Sequence, residues 1–322
     1  MSYLITGIAG FIGSNLAERL LSRGHSVCGV DNFCLGHRNN FAKIIDHPRF
    51  QFIEADMTEL REYARAVECF QTREKIMEVW HLAANSNIAT GAGNASLDLK
   101  NTFMTTFNTL EMMRLFNIGI LAFASSSAIY GDMGERVLEE DIGPLLPISS
   151  YGAMKLASEA IISAAVENYL QQAFIFRFPN VVGVPATHGV ILDFVRKLKK
   201  TPDKLEVLGN GMQQKSYLHV NDLIDAMLYI REHALDKISV FNIGGGDQGA
   251  TVRYIAEEAV REVSPGAMIH YGNSAKGWVG DVPKFAYSID KLRCLGWSPK
   301  ISSEEAVRRA IQQIAKQEAS NS

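Results

Sequence analysis

The glycine-punctuated stretch Ser2–Gly13 (SYLITGIAGFIG) constrains the fold of this chain more than any other. A short apolar strand, Tyr3–Ile5, precedes glycines at positions 7, 10 and 13, and an amphipathic helix begins at Phe11. In a dinucleotide-binding turn the first glycine allows the tight turn, the second admits the pyrophosphate and the third lets the helix pack on the strand. The N–H groups at the helix N-terminus attract phosphates. The stretch predicts a dinucleotide site; the alternative is a glycine-rich turn without a ligand.

An acid stands where the adenosine ribose of such a dinucleotide would bind. Asp31 ends the second predicted strand, Ser26–Val30, about 20 residues after the glycines, and would accept hydrogen bonds from the ribose hydroxyls. Its charge would repel a 2′-phosphate, so the sequence favours NAD over NADP. Arg38 argues the other way, because an arginine could hold that phosphate. The alternative role for Asp31 is to cap the following turn.

Strands and helices alternate along most of the chain, which predicts an α/β fold with a Rossmann-like doubly wound parallel sheet and a smaller C-terminal α/β lobe. We expect residues 1–178 to form the NAD-binding domain, with residues 218–246 returning to it, and residues 179–217 and 247–322 to form the smaller lobe. The sequence predicts a loop over residues 85–93 and two long helices, over residues 95–116 and 151–170. It also predicts a helix over residues 194–200 and a frayed end over residues 317–322.

Composition limits the classes of partner. The net charge of -3 gives no basic field for nucleic acid or an anionic membrane. No apolar run approaches the roughly 20 residues of a membrane span, and no leader is expected before the first strand. The four cysteines are scattered and form no CxxC pair, so we expect no metal site and a reducing, cytoplasmic location.

The predicted cofactor-binding residues lie at the glycine turn, at the carboxyl ends of the strands and on one helix. They are Gly7, Gly10, Phe11, Ile12, Gly13, Asp31, Asn32, Gly36, Asp56, Met57, Leu82, Ala83, Ala84, Tyr151 and Lys155.

Ser126, Tyr151 and Lys155 are the predicted catalytic residues. Tyr151 and Lys155 are four residues apart, which places them on one face of a helix. A nearby ammonium and the positive nicotinamide ring of NAD⁺ would favour the phenolate, which can take a proton from a sugar hydroxyl. Ser126 follows the fifth predicted strand and could bridge the same oxygen. The alternative is an exposed helical pair with no chemical role.

The chain resembles the extended short-chain dehydrogenases/reductases that act on nucleotide sugars, typified by UDP-glucose 4-epimerases. The resemblance covers nearly the whole chain, and its marks are ITGIAGFIGSNL, DNFCLG, HLAA, SSSAIYG, SSYGAMK, RFPNVVG, YLHVNDL, VGDV and LGWSP. It implies a Rossmann domain that holds NAD, a C-terminal lobe that holds the nucleotide sugar, and a homodimer through a four-helix bundle made by the two long helices. It implies substrate-binding roles for Asn85, Ser127, Asn180, Val190, Lys215, Tyr217, Trp278 and Asp281.

Some positions depart from the family pattern. The acidic pair of the dehydratases is replaced by Ser127 and Ala128, which disfavours 4,6-dehydration and decarboxylation. Lys215 stands where the resemblance expects a diphosphate-binding arginine, and lysine lacks the two-pronged guanidinium. Thr102 replaces an asparagine, and Trp278 an arginine. Lys215 could instead be a solvated surface lysine, and Trp278 a core or interface residue.

These observations leave three hypotheses of function. The leading one is an NAD-dependent nucleotide-sugar 4-epimerase that oxidises C4 transiently and returns the hydride to the opposite face. The second is a 4-dehydrogenase or reductase that acts on a GDP-, CDP- or other UDP-sugar. The third is a noncatalytic NAD-binding sensor. His81 and His219 are interpreted as structural, because Tyr151 already accounts for the proton transfer.

Overall fold

The computed structural model describes residues 1–134, 136–274 and 286–320. Within them the strands are β1 (Ser2–Thr6), β2 (Ser26–Asp31), β3 (Phe50–Glu54), β4 (Glu78–His81), β5 (Ile120–Ala124), β6 (Val137–Leu138), β7 (Gln172–Arg177), β8 (Asn180–Val182), β9 (Lys204–Val207), β10 (Gln214–Lys215), β11 (Tyr217–His219), β12 (Ile238–Asn242), β13 (Ala250–Thr251), β14 (Met268–Tyr271) and β15 (Ala286–Tyr287). The helices are α1 (Phe11–Ser22), α2 (Leu60–Gln71), α3 (Ile88–Gly93), α4 (Ala95–Asp98), α5 (Thr105–Phe116), α6 (Ser150–Asn168), α7 (Val190–Lys200), α8 (Val220–His233), α9 (Val252–Val263), α10 (Asp290–Leu295) and α11 (Ser303–Ser320).

Seven strands form one parallel sheet in the order β12-β7-β5-β4-β1-β2-β3. On β1, Tyr3 pairs with Val27 of β2 on one side and with Glu78 of β4 on the other. The chain winds outward in both directions from β1, so the strand order reverses between β1 and β4. In open α/β sheets ligands bind beyond the carboxyl ends of the strands at such a reversal. The predicted Rossmann-like doubly wound sheet is confirmed.

Apolar residues of three helices cover one face of this sheet. Tyr63 and Val67 of α2, Met112 of α5 and Ile162 of α6 lie fully buried in a cluster with strand residues such as Leu121. Burial of such side chains contributes roughly 1.5–3 kcal/mol each. The cluster therefore fixes α6, the helix that carries the predicted catalytic pair, against the sheet.

The chain divides into two compact units. The first contains Met1–Ile129, Leu145–Arg177 and Leu228–Phe241, and the second contains Tyr130–Pro144, Phe178–Met227 and Asn242–Ser322. The second unit has its own apolar core, to which α7, α9 and α11 contribute Phe194, Ile255 and Ile311. These bounds differ from the predicted ones, because residues 130–144, 178, 218–227 and 242–246 fall in the second unit. The binding roles given to the two parts remain proposals.

The structure corrects several sequence predictions. Residues 88–93, predicted as part of a loop, form α3. The predicted long helix 95–116 is interrupted by a π-helical segment, Leu99–Met104, which joins α4 to α5. Helix α7 begins four residues before the predicted start, and α11 continues to Ser320 instead of fraying after residue 317. Among the described residues, no helix is long and apolar enough to cross a bilayer.

Candidate active site

The glycine turn after β1 is built by close backbone approaches. Gly7 has φ +72°, and a Cβ there would lie 2.9 Å from the backbone nitrogen of Ala83. A Cβ on Gly13 would lie 2.2 Å from the carbonyl oxygen of Gly7. Only glycine fits both positions. Gly10 caps α1 without a side-chain hydrogen bond, so the first N–H groups of α1, from Phe11 and Ile12 onward, are available to an anion. The turn fits a dinucleotide pyrophosphate.

Asp31 is held by backbone donors of the turn that it faces. Its Oδ2 accepts from Ala9 N at 2.9 Å and its Oδ1 accepts from Phe33 N at 2.8 Å. Burial raises the pKa of Asp31, while these N–H groups oppose the rise. Asp31 therefore caps the turn that follows it, through Phe33 N, which was the alternative role for this residue, and it also bonds to the glycine turn through Ala9 N. Its contact with a ribose remains a prediction.

The other predicted cofactor residues line the same edge of the sheet. Gly36 packs against Ala9, since a Cβ on Gly36 would lie 2.6 Å from the Ala9 Cβ. Asp56 accepts from Thr58 N at 2.9 Å, and Met57 is buried. Asn32 Oδ1 accepts from Cys34 N at 3.0 Å. Leu82 N and Ala83 N both donate to Thr6 Oγ1, and the half-buried Ala84 follows them in the chain.

Arg38 lies beside aromatic rings rather than in the turn. Its guanidinium stands 5.1 Å from the Phe33 ring centroid and 5.2 Å from that of Phe52. Its Nη2 is 3.5 Å from Glu54 Oε2. This exposed ion pair contributes little to stability. The preference for NAD over NADP therefore remains a prediction.

The three predicted catalytic residues meet at the carboxyl end of β5. Lys155 Nζ donates to Ala124 O at 2.6 Å and lies 4.7 Å from the Phe123 ring centroid. The same ammonium is 5.8 Å from the ring centroid of Tyr151. A hydrogen bond with Ser126 favours the ionised form of Tyr151. A strand end and one face of α6 therefore assemble the trio.

Burial shifts the pKa values of both members of the helical pair in the chain without ligand. Burial raises the pKa of Tyr151 to about 12, although the Ser126 hydrogen bond opposes the rise and the charge of Asp98 adds to it. Burial also lowers the pKa of Lys155 to about 7, against the opposing effect of Glu159. Burial therefore penalises both charged forms, and the expectation that the ammonium together with a bound positive nicotinamide ring favours the phenolate stays a prediction.

His81 belongs to a buried polar network. Its Nδ1 lies 2.7 Å from Thr6 Oγ1, and its Nε2 lies 3.1 Å from Thr106 Oγ1. Ser158 of α6 donates to the same threonine at 3.2 Å. Burial, with Lys155 nearby, lowers the pKa of His81 to about 3. The ring is neutral, and these contacts support its structural interpretation.

His219 also has structural contacts. Its Nε2 lies 3.1 Å from Gln313 Oε1, and its Nδ1 accepts from Asn221 N at 3.3 Å. Among the described residues, no group of three or more His, Cys, Asp and Glu side chains could hold a metal ion.

Sequence reasoning missed one buried carboxylate, Asp98, close to Tyr151. Asp98 Oδ1 accepts from Asn85 Nδ2 at 2.7 Å, and its Oδ2 is buried without a hydrogen bond. Asn85 N in turn donates to Thr102 Oγ1 at 3.2 Å. Burial raises the pKa of Asp98. No local motif marks this residue, because the contact depends on how α4 packs beside α6.

It also missed a buried ion pair next to Lys155. Arg177, the last residue of β7, donates to both carboxylate oxygens of Glu159 at 3.0 and 2.6 Å. Ser125 donates to Glu159 through a short hydrogen bond. Glu159 lies four residues after Lys155, so the spacing that revealed Tyr151 and Lys155 could have revealed it too.

The predicted substrate-binding residues lie in different parts of the chain. Asn85 and Ser127 belong to the first unit. In the second, Asn180 Nδ2 donates to Ser216 O at 3.3 Å, and Tyr217 is buried in the apolar core. Val190 begins α7, Lys215 lies on β10, which pairs with β13, and Trp278 and Asp281 fall outside the described residues.

The fold is that of a Rossmann-like α/β protein, with a glycine turn after β1 and a tyrosine–lysine pair beside the carboxyl end of β5. The model of the NAD dependent epimerase/dehydratase family matches residues 3–244, and the chain belongs to that family.

Similar proteins that match most of this chain have more than one activity. The UDP-glucose 4-epimerase of Lacticaseibacillus casei is 29% identical over 321 residues, which cover 93% of this chain and 92% of that protein. UDP-glucuronic acid decarboxylase 1 of Arabidopsis thaliana is 27% identical over 319 residues, covering 96% and 68%. The structure of the Thermus thermophilus UDP-glucose 4-epimerase in complex with NAD superimposes with a TM-score of 0.83 at 29% identity, covering 98% and 99%. The reaction therefore has to be argued from the site.

Proposed function

We propose that this protein is an NAD-dependent nucleotide-sugar 4-epimerase. The observation that carries the proposal is the assembled Ser126, Tyr151 and Lys155 trio, followed in sequence by the neutral residues Ser127 and Ala128. A tyrosine–lysine pair can move one proton at a sugar hydroxyl. Ser127 and Ala128 themselves carry no acid for the expulsion of water.

NAD is the proposed cofactor, and it would supply a group that accepts and returns a hydride. Gly7, Gly10 and Gly13 would hold its pyrophosphate, with Asp31 at the ribose. Lys155 and Tyr151 lie at the carboxyl end of β5, where the reacting end of such a molecule would reach.

The residues of this chain would move the proton and hold the sugar in place. Tyr151 would take the proton of the C4 hydroxyl and return it after the sugar has turned over, while Ser126 would orient the same oxygen. The pKa of Tyr151, about 12 without ligands, means that a bound positive ring must favour the phenolate. Asn180 and Lys215 are the proposed diphosphate contacts.

A 4-dehydrogenase or reductase is the second candidate. Lys215 favours it, because the usual arginine of UDP-sugar enzymes is absent and lysine offers no bidentate grip on a diphosphate. This enzyme would release one reduced cofactor for each sugar oxidised, whereas an epimerase releases none.

The test is a proton NMR time course of the protein with NAD and UDP-glucose, with the absorbance of reduced cofactor followed in parallel. A new UDP-galactose anomeric signal at flat absorbance would support the proposal, and stoichiometric absorbance would favour the dehydrogenase. If UDP-glucose fails, the series continues with UDP-N-acetylhexosamine, UDP-glucuronate, and GDP- and CDP-sugars. Cofactor binding without turnover of any of them would contradict both and favour a noncatalytic sensor.

We also propose a homodimer formed through the long helices. Helix α5 exposes Phe107 and Leu115, which are 36% and 56% accessible, and α6 exposes Ala160 and Ala164. Small and apolar side chains on neighbouring helices would suit a four-helix interface. Light scattering after gel filtration should give twice the chain mass, and Phe107→Glu should give a monomer. A monomeric wild type would contradict this arrangement. A cytoplasmic location stays a prediction that rests on the free cysteines.

A further inference from the structure

Glu159 connects three elements that build the site. On α6 it stands one turn beyond Lys155, its carboxylate receives two hydrogen bonds from Arg177 at the end of β7, and it accepts from Ser125 at the end of β5. The Arg177 and Glu159 side chains are only 7% and 8% exposed. A buried, bidentate pair of this kind has a fixed geometry.

One face of α6 contacts the end of β5 and the residues that follow it. Lys155 donates to Ala124 O and Glu159 accepts from Ser125 Oγ, while the Ser126 side chain lowers the pKa of Tyr151. Three successive turns of one helix therefore act on three consecutive residues. Ser125 N is also bonded to Phe176 O at 2.8 Å, which ties the same point to β7.

We propose that Glu159 is a positioning residue that keeps Lys155 in its ammonium form and fixes the position of Ser126 relative to Tyr151. This inference rests on the proposed function only for its kinetic consequence. The contacts that support it are made by residues of this chain and do not depend on which substrate binds.

Charged and titratable groups face Lys155 and its tyrosine from several elements. Glu159 and Tyr151 lie on the same helix, His81 lies on β4, Asp98 lies on α4 and Arg177 lies on β7. His81 is neutral, as its lowered pKa shows, and Asp98 acts on Tyr151. Arg177 is bound to Glu159 through both carboxylate oxygens. Glu159 is therefore the carboxylate that favours a charged Lys155, in keeping with its upward effect on the pKa of that lysine.

The charge matters because Tyr151 and Lys155 share protons. With one proton on the pair, it can be a phenolate beside an ammonium, or a phenol beside a neutral amine. Only the first form can accept a proton from a sugar hydroxyl. Burial favours the second form, and a negative charge one turn away shifts the balance back toward the first.

The experiment is an NMR titration of protein with lysine isotopically labelled at Cε, in which Lys155→Met identifies the signal of Lys155. In the wild type this signal should titrate near neutral pH, far below the exposed lysines. Glu159→Gln should lower its midpoint by about one pH unit. That variant leaves the buried guanidinium of Arg177 without its carboxylate partner. The double variant Glu159→Gln/Arg177→Met removes both charges of the pair, and it should also lower the midpoint of Lys155.

A second buried Glu–Arg pair in the same unit gives a matched control. Glu78 Oε2 accepts from Arg231 Nε at 2.9 Å, and Glu78 is 1% exposed at the other end of the sheet. Glu78→Gln/Arg231→Met should leave the Lys155 midpoint unchanged. An unchanged midpoint in both the Glu159→Gln and the double variant, or an equal shift in the control, would overturn the proposal.

Kinetics then separates positioning from general destabilisation. For whichever nucleotide sugar the wild type turns over, the double variant at Glu159 should lose about tenfold in kcat on the pH plateau, with KM within about twofold. If the wild type turns over no nucleotide sugar, the proposed function fails while the titration still decides the role of Glu159. A shifted midpoint with unchanged kcat would overturn the positioning role.

Discussion

The two ends of the central sheet hold buried charge in different ways. At the amino end, Glu78 opens β4 and pairs with Arg231, which joins a strand to α8. At the carboxyl end, Glu159 and Arg177 form a similar pair, but Lys155 beside them donates to the neutral carbonyl of Ala124. Burial lowers the pKa of Lys155 to about 7, against the opposing effect of Glu159, so its charge can change in the pH range where enzymes work. Paired charge fixes structure, and a lysine held by a neutral acceptor can take part in chemistry.

The largest effect should come from removing one hydroxyl at each end. Tyr151→Phe at the carboxyl end should lower kcat by about 10²–10⁴-fold, because the group that moves the proton is lost. Tyr3→Phe at the amino end removes only a contact of its Oη with Met1 Sδ at 3.4 Å and should leave turnover within about twofold. Steady-state kinetics with the accepted sugar measures both. Near-normal turnover by Tyr151→Phe would contradict the mechanism.

The second comparison uses two glycines with positive φ. Gly24→Ala at the amino end has φ +81° and should cost about 1–2 kcal/mol through strain alone. Gly7→Ala has a similar strain at +72° and also clashes with the backbone of Ala83, so it should weaken NAD binding more than about tenfold. Calorimetric titration with NAD measures the affinities, and thermal unfolding measures the strain. Equal NAD affinity in the two variants would show that the turn does not hold the cofactor.

The third effect is a pH dependence of stability. The folded pKa of Lys155, about 7, lies below the ordinary value, so the unfolded chain binds more protons between these values and stability rises with pH. From about pH 7 to pH 9 the gain should be about 2 kcal/mol for this one group. Lys155→Met should remove the rise of stability with pH. Glu78→Gln should lower the free energy of unfolding at every pH but should leave that rise unchanged. Denaturant unfolding at several pH values measures this, and a flat wild-type profile would contradict the lowered pKa.

The smallest effect should follow from Asp98→Asn. The charge of Asp98 raises the pKa of Tyr151, so its removal should move the acid limb of the kcat profile to lower pH by about one unit or less. Glu78→Gln, which neutralises a buried carboxylate at the amino end, should not move that limb. A pH profile of kcat for the three proteins measures the difference. A shift to higher pH in Asp98→Asn would mean that Asp98 acts on the tyrosine through structure rather than charge.

The sequence contained most of the local geometry of the site. The glycine spacing located the turn between β1 and α1, and the four-residue spacing of Tyr151 and Lys155 located one face of α6. Both patterns span only a few residues, so backbone geometry alone links their spacing to a structure. The doubly wound parallel sheet followed from the alternation of strands and helices.

Contacts between distant segments could not be read from spacing. Arg177 reaches Glu159 across 18 positions of the chain, and Asp98 depends on the packing of α4. The upward effect of burial on the pKa of Tyr151 could not be read from spacing either, because burial is a property of the folded chain, and here it outweighs the Ser126 hydrogen bond. The π-helical segment at Leu99–Met104 left no glycine or proline to mark it.

The π-helical segment Leu99–Met104 determines the direction in which Asp98 points relative to α5. The residues on both sides, Asp98 and Thr105, have ordinary right-handed helical backbone angles, so α4, the π-helical turn and α5 form one continuous rod. A π-helical turn holds one residue more than an α-helical turn needs. Deleting one residue within Leu99–Met104 would restore regular winding and rotate Asp98 by about 100° relative to α5. Relatives of this chain could therefore gain or lose a carboxylate beside the tyrosine by a change in length rather than a change in residue type.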